Sequence, residues 1–165
     1  MDKITPCLWF DGVAEEAAHF YTSLFPNSHI DSIDHSPGDT PSGPKGMVLT
    51  VGFTLAGRSF IGLNGGDDFK FSEAISMSID CEDQAEVDRY WDALLADGGE
   101  ESVCGWLRDK YGLSWQVIPR RLPQMLASPD RDAAARALEA MLKMVKIDVT
   151  ELERAYNGAP AGAAR

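Results

Sequence analysis

Histidine is scarce in this 165-residue chain. There are three, and none belongs to an obvious metal-binding set. His19 falls on a helix pattern, while His29 and His35 share an edge-type strand and read as surface residues. Cysteine is equally sparse. Cys7, Cys81 and Cys104 are odd in number, widely spaced and free of any C-x-x-C, which excludes a disulfide framework and a zinc knuckle. No apolar run is long enough to span a bilayer, and Met1-Asp2-Lys3-Ile4 enters a strand pattern with no signal-peptide core. A reducing, cytoplasmic location is therefore expected, with no membrane partner. Basic residues are also few, 15 against 26 acidic ones, for a net charge of -11. Such a surface repels phosphate backbones and argues against nucleic-acid partners, while tolerating or favouring a cationic small molecule.

What the chain does contain is a set of short elements with clear punctuation. Residues 4–10 form a compact apolar run read as a buried strand. Asp11 is placed to cap a helix whose stripe is Val13, Ala17, Phe20 and Leu24. Residues 28–35 read as an edge strand, and 36–45 as a core-free loop. Strands follow at 46–55 and 58–64, joined by an Ala56-Gly57 turn. A strand is expected over 71–80. Asp83 then caps a helix in a capping box with Glu86, and Gly98-Gly99 closes it. The run from Cys104 to Pro119 reads as a hairpin turning at Lys110–Gly112, with Trp106 and Trp115 as large apolar surfaces.

Strand, helix, strand, strand, strand therefore occurs twice, at about 3–65 and 71–119. The predicted fold class is α+β, two βαβββ modules forming a cupped mixed sheet with C-terminal helices. Domain boundaries are expected at 1–120 for the paired modules, 121–158 for the helical extension and 159–165 for a disordered tail. Within the extension, Ser128-Pro129-Asp130 starts one helix, and Asp148 with Glu151 starts another, where Ile147 can staple onto Leu152. The extension is placed to cover a sheet or a partner subunit.

Alternation separates two faces on each strand. Leu49, Val51, Phe53 and Leu55 oppose Thr50, Gly52 and Thr54. Ile75, Met77 and Ile79 oppose Ala74, Ser76, Ser78 and Asp80. Leu113, Trp115 and Val117 oppose Ser114, Gln116 and Ile118. The apolar faces suit the amphipathic helices. The small polar faces suit either solvent or a ligand cup, since small hydroxyl and amide side chains leave room and orient hydrogen bonds.

The residues from Ile4 to Gly12, Glu15-Glu16-Ala17-Ala18 with Phe20-Tyr21, Asn64-Gly65-Gly66, Phe69 to Ser76, Tyr90-Trp91 and the Cys104–Pro119 hairpin together resemble the vicinal oxygen chelate superfamily of glyoxalase-like and bleomycin-resistance proteins. Within it the chain is similar to the PhnB-like branch often labelled 3-demethylubiquinone-9 3-methyltransferase, over roughly residues 3–157. The resemblance implies a cupped arrangement of paired modules, a homodimer, and metal ligands on the first and fourth strand of each module. Those places fall on Pro6, about Gly62, about Ala74, and Gln116, none of which is a histidine or carboxylate, so no metal is expected. The glycines at 62, 65 and 66 lack the spacing of a methyl-donor turn, and no cofactor is expected.

The expected function is metal-independent binding of a small molecule in a cup between modules. The candidate ligand-binding residues are Thr50, Asn64, Phe71, Glu73, Ser76, Trp106 and Gln116. Glu73 is the candidate catalytic residue, a carboxylate beside apolar walls able to act as a base or else to pair with Lys70. Two alternatives stay open. One is an enzyme, either the family-labelled methyltransferase or a metal-independent lyase or isomerase using Glu73. The other is a non-catalytic dimeric interaction module. Cys104 reads as a buried small hydrophobe.

Overall fold

The structure is a computed structural model that describes residues 3–159. The tail expected at 159–165 lies, from residue 160 onward, outside the described residues. The chain divides into two compact units, Met1–Phe71 and Ser72–Arg165.

The first unit contains β1 (Cys7–Phe10), α1 (Ala14–Leu24), β2 (His29–His35), β3 (Val48–Leu55) and β4 (Arg58–Asn64). They form a four-stranded sheet in the order β1-β4-β3-β2, with β1 parallel to β4 and the other pairs antiparallel. Burial follows the alternation: Leu8, Phe10, Val51, Phe53, Leu55 and Phe60 are buried with Ala14, Ala17, Ala18 and Tyr21 of α1. The run of alanines lets the helix lie close to the sheet. Gly62 does the same from the sheet side, since a Cβ there would sit 3.3 Å from that of Ala14. Ala56 and Gly57 turn the chain with φ of 47° and 82°, the left-handed pair that a two-residue hairpin uses.

Two expectations for this unit are corrected. The first strand begins at Cys7, and Ile4 is exposed. Asp11 does not cap α1, which starts behind Val13 with no cap from a side chain of its own flank. Asn64 supplies the acceptor from the end of β4, its Oδ1 taking the Ala14 N–H at 2.9 Å.

The second unit repeats the order with β5 (Met77–Cys81), α2 (Gln84–Leu95), β6 (Glu100–Glu101), β7 (Trp106–Arg108) and β8 (Ser114–Pro119). The sheet runs β5-β8-β7-β6, again with the first strand parallel to the last. Here α2 is self-capped as the sequence predicts: Asp83 Oδ1 accepts from Glu86 N at 2.9 Å, and Glu86 Oε2 accepts from Glu82 N at 2.8 Å. Val87, Tyr90, Trp91 and Leu94 of α2 are buried, as are Leu107, Leu113, Trp115 and Val117 of the sheet side. Burial, reinforced by the charges of Glu86 and Asp80, pushes the Cys81 thiol up to about 12, which marks it as an inert core residue.

β5 is shorter than the expected 71–80 strand. Ile75 N–H donates to Ser72 O at 3.4 Å, so 72–75 is a turn and Ile75 is exposed instead of core-facing. After β8 come α3 (Arg121–Leu126), α4 (Arg131–Met141) and α5 (Val149–Tyr156). α3 is a helix that the sequence pattern left unmarked. The cap of α4 is Asp130, whose Oδ1 accepts from Ala133 N at 2.9 Å; Ser128 instead accepts from Asp130 N and meets the Tyr156 hydroxyl at 2.7 Å. Leu122, Met125, Ala137, Ile147 and Leu152 make the core of this extension. Gln84 ties it to α2, donating to Ile147 O at 3.1 Å and accepting from Val149 N at 2.8 Å.

Candidate functional site

The sheet surface turned away from each unit's βαβββ helix is where the polar faces predicted from alternation fall. In the second unit β7 and β8 pair Trp106 with Gln116 and Arg108 with Ser114, while β5 and β8 pair Ser78 with Gln116. Those residues share the open face, because Leu107, Trp115, Val117 and Ile79 take the other side. Ile118 also falls on the open side by register, and it packs against the core of the helical extension. The extension thus covers one end of the face and leaves the Ser114–Gln116 end for other contacts.

At that end lies a pocket of about 120 Å³ whose lining includes Glu73, Glu100, Ser102, Trp106, Arg108 and Ser114. Ser114 is fully buried at 0% exposure, and its hydroxyl has no hydrogen-bond partner among the described residues. A buried hydroxyl without a partner is costly, and native structures rarely carry one without a reason. Arg108 stands over the same pocket, 3.8 Å from Glu73 and in a charge-assisted hydrogen bond to Glu100. Glu101 adds a carboxylate, one oxygen of which accepts from the Trp91 indole N–H at 3.2 Å. The floor under this corner is held rigid by Asp109. That buried carboxylate accepts from Tyr111 N, Leu113 N and the Trp115 indole N–H at 2.9, 3.1 and 2.8 Å, and so fixes the hairpin turn between β7 and β8.

The structure brings four of the seven expected ligand residues to this unit's open side or its rim. Glu73 and Trp106 line the pocket, and Gln116 Nε2 donates to Ser76 Oγ at 2.9 Å. The apolar surround expected for Glu73 is replaced by a different setting. Its side chain is 66% exposed because residues 72–75 turn instead of continuing the strand, and its partner is Arg108 rather than Lys70. The other three expected residues lie in the first unit. Thr50 is on the open face of β3, opposite Leu63. Phe71 packs its ring edge-on against Phe10 at 5.5 Å. Asn64 is corrected to the helix-facing side: it is buried, Oδ1 capping α1 and Nδ2 donating to Val48 O at 2.9 Å. Ser114 and Asp109 are the functional candidates that sequence reasoning passed over. The alternation placed Ser114 on the right face, but only the packing shows its hydroxyl to be unpaired.

The places where the resemblance puts metal ligands and the glycines of a methyl-donor turn have other roles among the described residues. Among the described residues no three His, Cys, Asp or Glu side chains come together as a metal-holding group. Pro6 precedes β1, where its carbonyl accepts from Ile61 N at 2.9 Å, and Gly62 faces α1. The Gly65-Gly66 loop is filled by an indole. A Cβ on Gly65 would lie 2.2 Å from Trp9 Cζ2, and the Trp9 indole N–H donates to Gly66 O at 2.8 Å. These glycines therefore seat Trp9, with Phe69 edge-on to it at 5.0 Å, and leave no backbone cradle for a phosphate or nucleoside. No helix among the described residues is long and apolar enough to cross a membrane.

Comparison with known proteins agrees with this architecture. Residues 2–118 match the family described as 3-demethylubiquinone-9 3-methyltransferase. A solved structure from Bacillus cereus, provisionally described as a 3-demethylubiquinone-9 3-methyltransferase, PhnB protein, is 39% identical, with a TM-score of 0.62, covering 70% of this chain and 97% of that one. Protein PA1353 from Pseudomonas aeruginosa is 19% identical with a TM-score of 0.56 over 70% of this chain and 95% of its own, and shares the fold. No curated protein matches the chain.

Proposed function

The chain belongs to the PhnB-like 3-demethylubiquinone-9 3-methyltransferase family, and from that premise we propose that it is a metal-independent binder of a small molecule, working as a homodimer. The ligand contacts the open face of the second unit at Ser114, Trp106, Glu73 and the Ser76–Gln116 pair. One observation carries the reading: the buried, unpartnered Ser114 hydroxyl on a pocket. Nature tolerates such a group where a ligand completes its hydrogen bonding. Trp106 supplies a flat wall for that ligand, and Arg108 with its two carboxylates supplies a polar rim.

Binding is favoured over base catalysis by the state of Glu73. A general base must be held against the proton it takes, whereas Glu73 is mostly solvated and engaged by a guanidinium. The methyl transfer in the family's name has no support from Gly65 and Gly66, which seat Trp9.

A thermal-shift screen of small metabolites, with S-adenosylmethionine and a chelator included, tests the proposal. A binder raises the midpoint by mass action, and that rise is lost in Trp106→Ala and unaffected by chelation. Hits that are all indifferent to Trp106→Ala would place the ligand elsewhere. A midpoint that collapses with chelator would overturn metal independence, and a shift by S-adenosylmethionine would turn the reading towards methyl transfer.

A further inference from the structure

We propose that the group held at Ser114 is a cation, an ammonium head carried on a small organic molecule; the inference rests on the ligand site proposed above. Three carboxylates, Glu73, Glu100 and Glu101, line the pocket with a single guanidinium. Arg108 is already engaged by two of them, within 3.8 Å of Glu73 and hydrogen-bonded to Glu100. An anionic ligand would have to displace a carboxylate from Arg108. A cation instead meets an excess of negative charge, inside a chain whose net charge of -11 adds to the attraction.

The acidic residues alone would be an ordinary solvated cluster. Ser114 sets this cluster apart, because it lines the same pocket and its buried hydroxyl has no hydrogen-bond partner among the described residues. An N–H of an ammonium group can donate to that oxygen, while the Trp106 face stabilises the charge beside it. Size agrees as well. A pocket of about 120 Å³ holds roughly four water-sized groups, enough for a head group with its tail left outside.

Nuclear magnetic resonance on the ¹⁵N-labelled full chain separates the possibilities, reading the Trp106 indole and Ser114 amide signals. The probes are n-propylammonium chloride, 1-propanol and sodium propionate, matched in ionic strength. Propylammonium is expected to shift both signals saturably, while propanol and propionate leave them unmoved at equal concentration. Glu73→Gln and Ser114→Ala should each weaken that binding about tenfold. Both positions are open to such a change, since Glu73 is largely exposed and Ser114→Ala removes an unpaired group. Saturable binding of propionate, or equal binding of propanol, would overturn the cationic class while leaving the pocket as a ligand site. If no probe moves either signal, the cationic inference and the site reading fall together.

Discussion

In the first unit the β1–β4 pair presents Trp9, Ile61 and Leu63 on its open face, whereas the equivalent β5–β8 pair of the second presents Ser78, Asp80 and Gln116. Topology is the same in both: first strand parallel to last, and a helix on one side. The strands are not. β2 and β3 run for 7 and 8 residues, while their counterparts β6 and β7 run for 2 and 3. At the end of the long first sheet an indole is seated on the Gly65-Gly66 loop. The short second sheet leaves a polar corner where a hydroxyl has no partner. One topology thus gives two different surfaces, an apolar first-strand pair in the longer sheet and a polar one in the shorter sheet.

Helix capping draws the same contrast. α2 is closed by residues adjacent to it in sequence, Asp83 and Glu86. α1 depends on Asn64, which lies 50 residues away from Ala14. The start of α1 is therefore held by a long-range contact where the start of α2 uses a local one.

The largest expected effect breaks the indole seat. Gly65→Ala puts a methyl group 2.2 Å from Trp9 Cζ2 and should cost about 3 kcal/mol by urea denaturation. Gly112→Ala in the second unit meets open space and pays only for its φ of 86°, about 1 kcal/mol. Equal losses at the two glycines would remove the distinction between a filled loop and an open turn. Next in size, Asn64→Ala deprives both Ala14 N–H and Val48 O of a buried partner and should cost about 2 kcal/mol. Asp83→Ala, a surface cap, should cost about 1 kcal/mol. Circular dichroism melts of the two variants check the order, which reverses if α1 finds another acceptor.

The local features were legible in the sequence. The Cys104–Pro119 hairpin, the Asp83 and Asp148 caps and the edge position of β2 all rest on neighbouring residues whose chemistry has one good use. Asn64, Asp109 and Ser114 were not legible in the same way. Asn64 looked available for a ligand because its two backbone partners come from distant elements. Asp109 lies just before the hairpin turn, and only the folded turn brings three donors together on its carboxylate. β5 was overextended because Phe71–Ile75 alternates well enough to pass for strand, yet Ser72 O takes the Ile75 N–H and turns it aside. The unpaired state of Ser114 is a property of packing, which alternation cannot report.

The most direct measurement of the central claim is the stability of Ser114→Ala in the absence of ligand. If the hydroxyl is held unpaired for a guest, removing it relieves a buried desolvation cost, and the urea-derived stability should rise by about 1 kcal/mol. A fall of similar size would show that the hydroxyl serves the fold itself, and would contradict the account of the second unit's open corner.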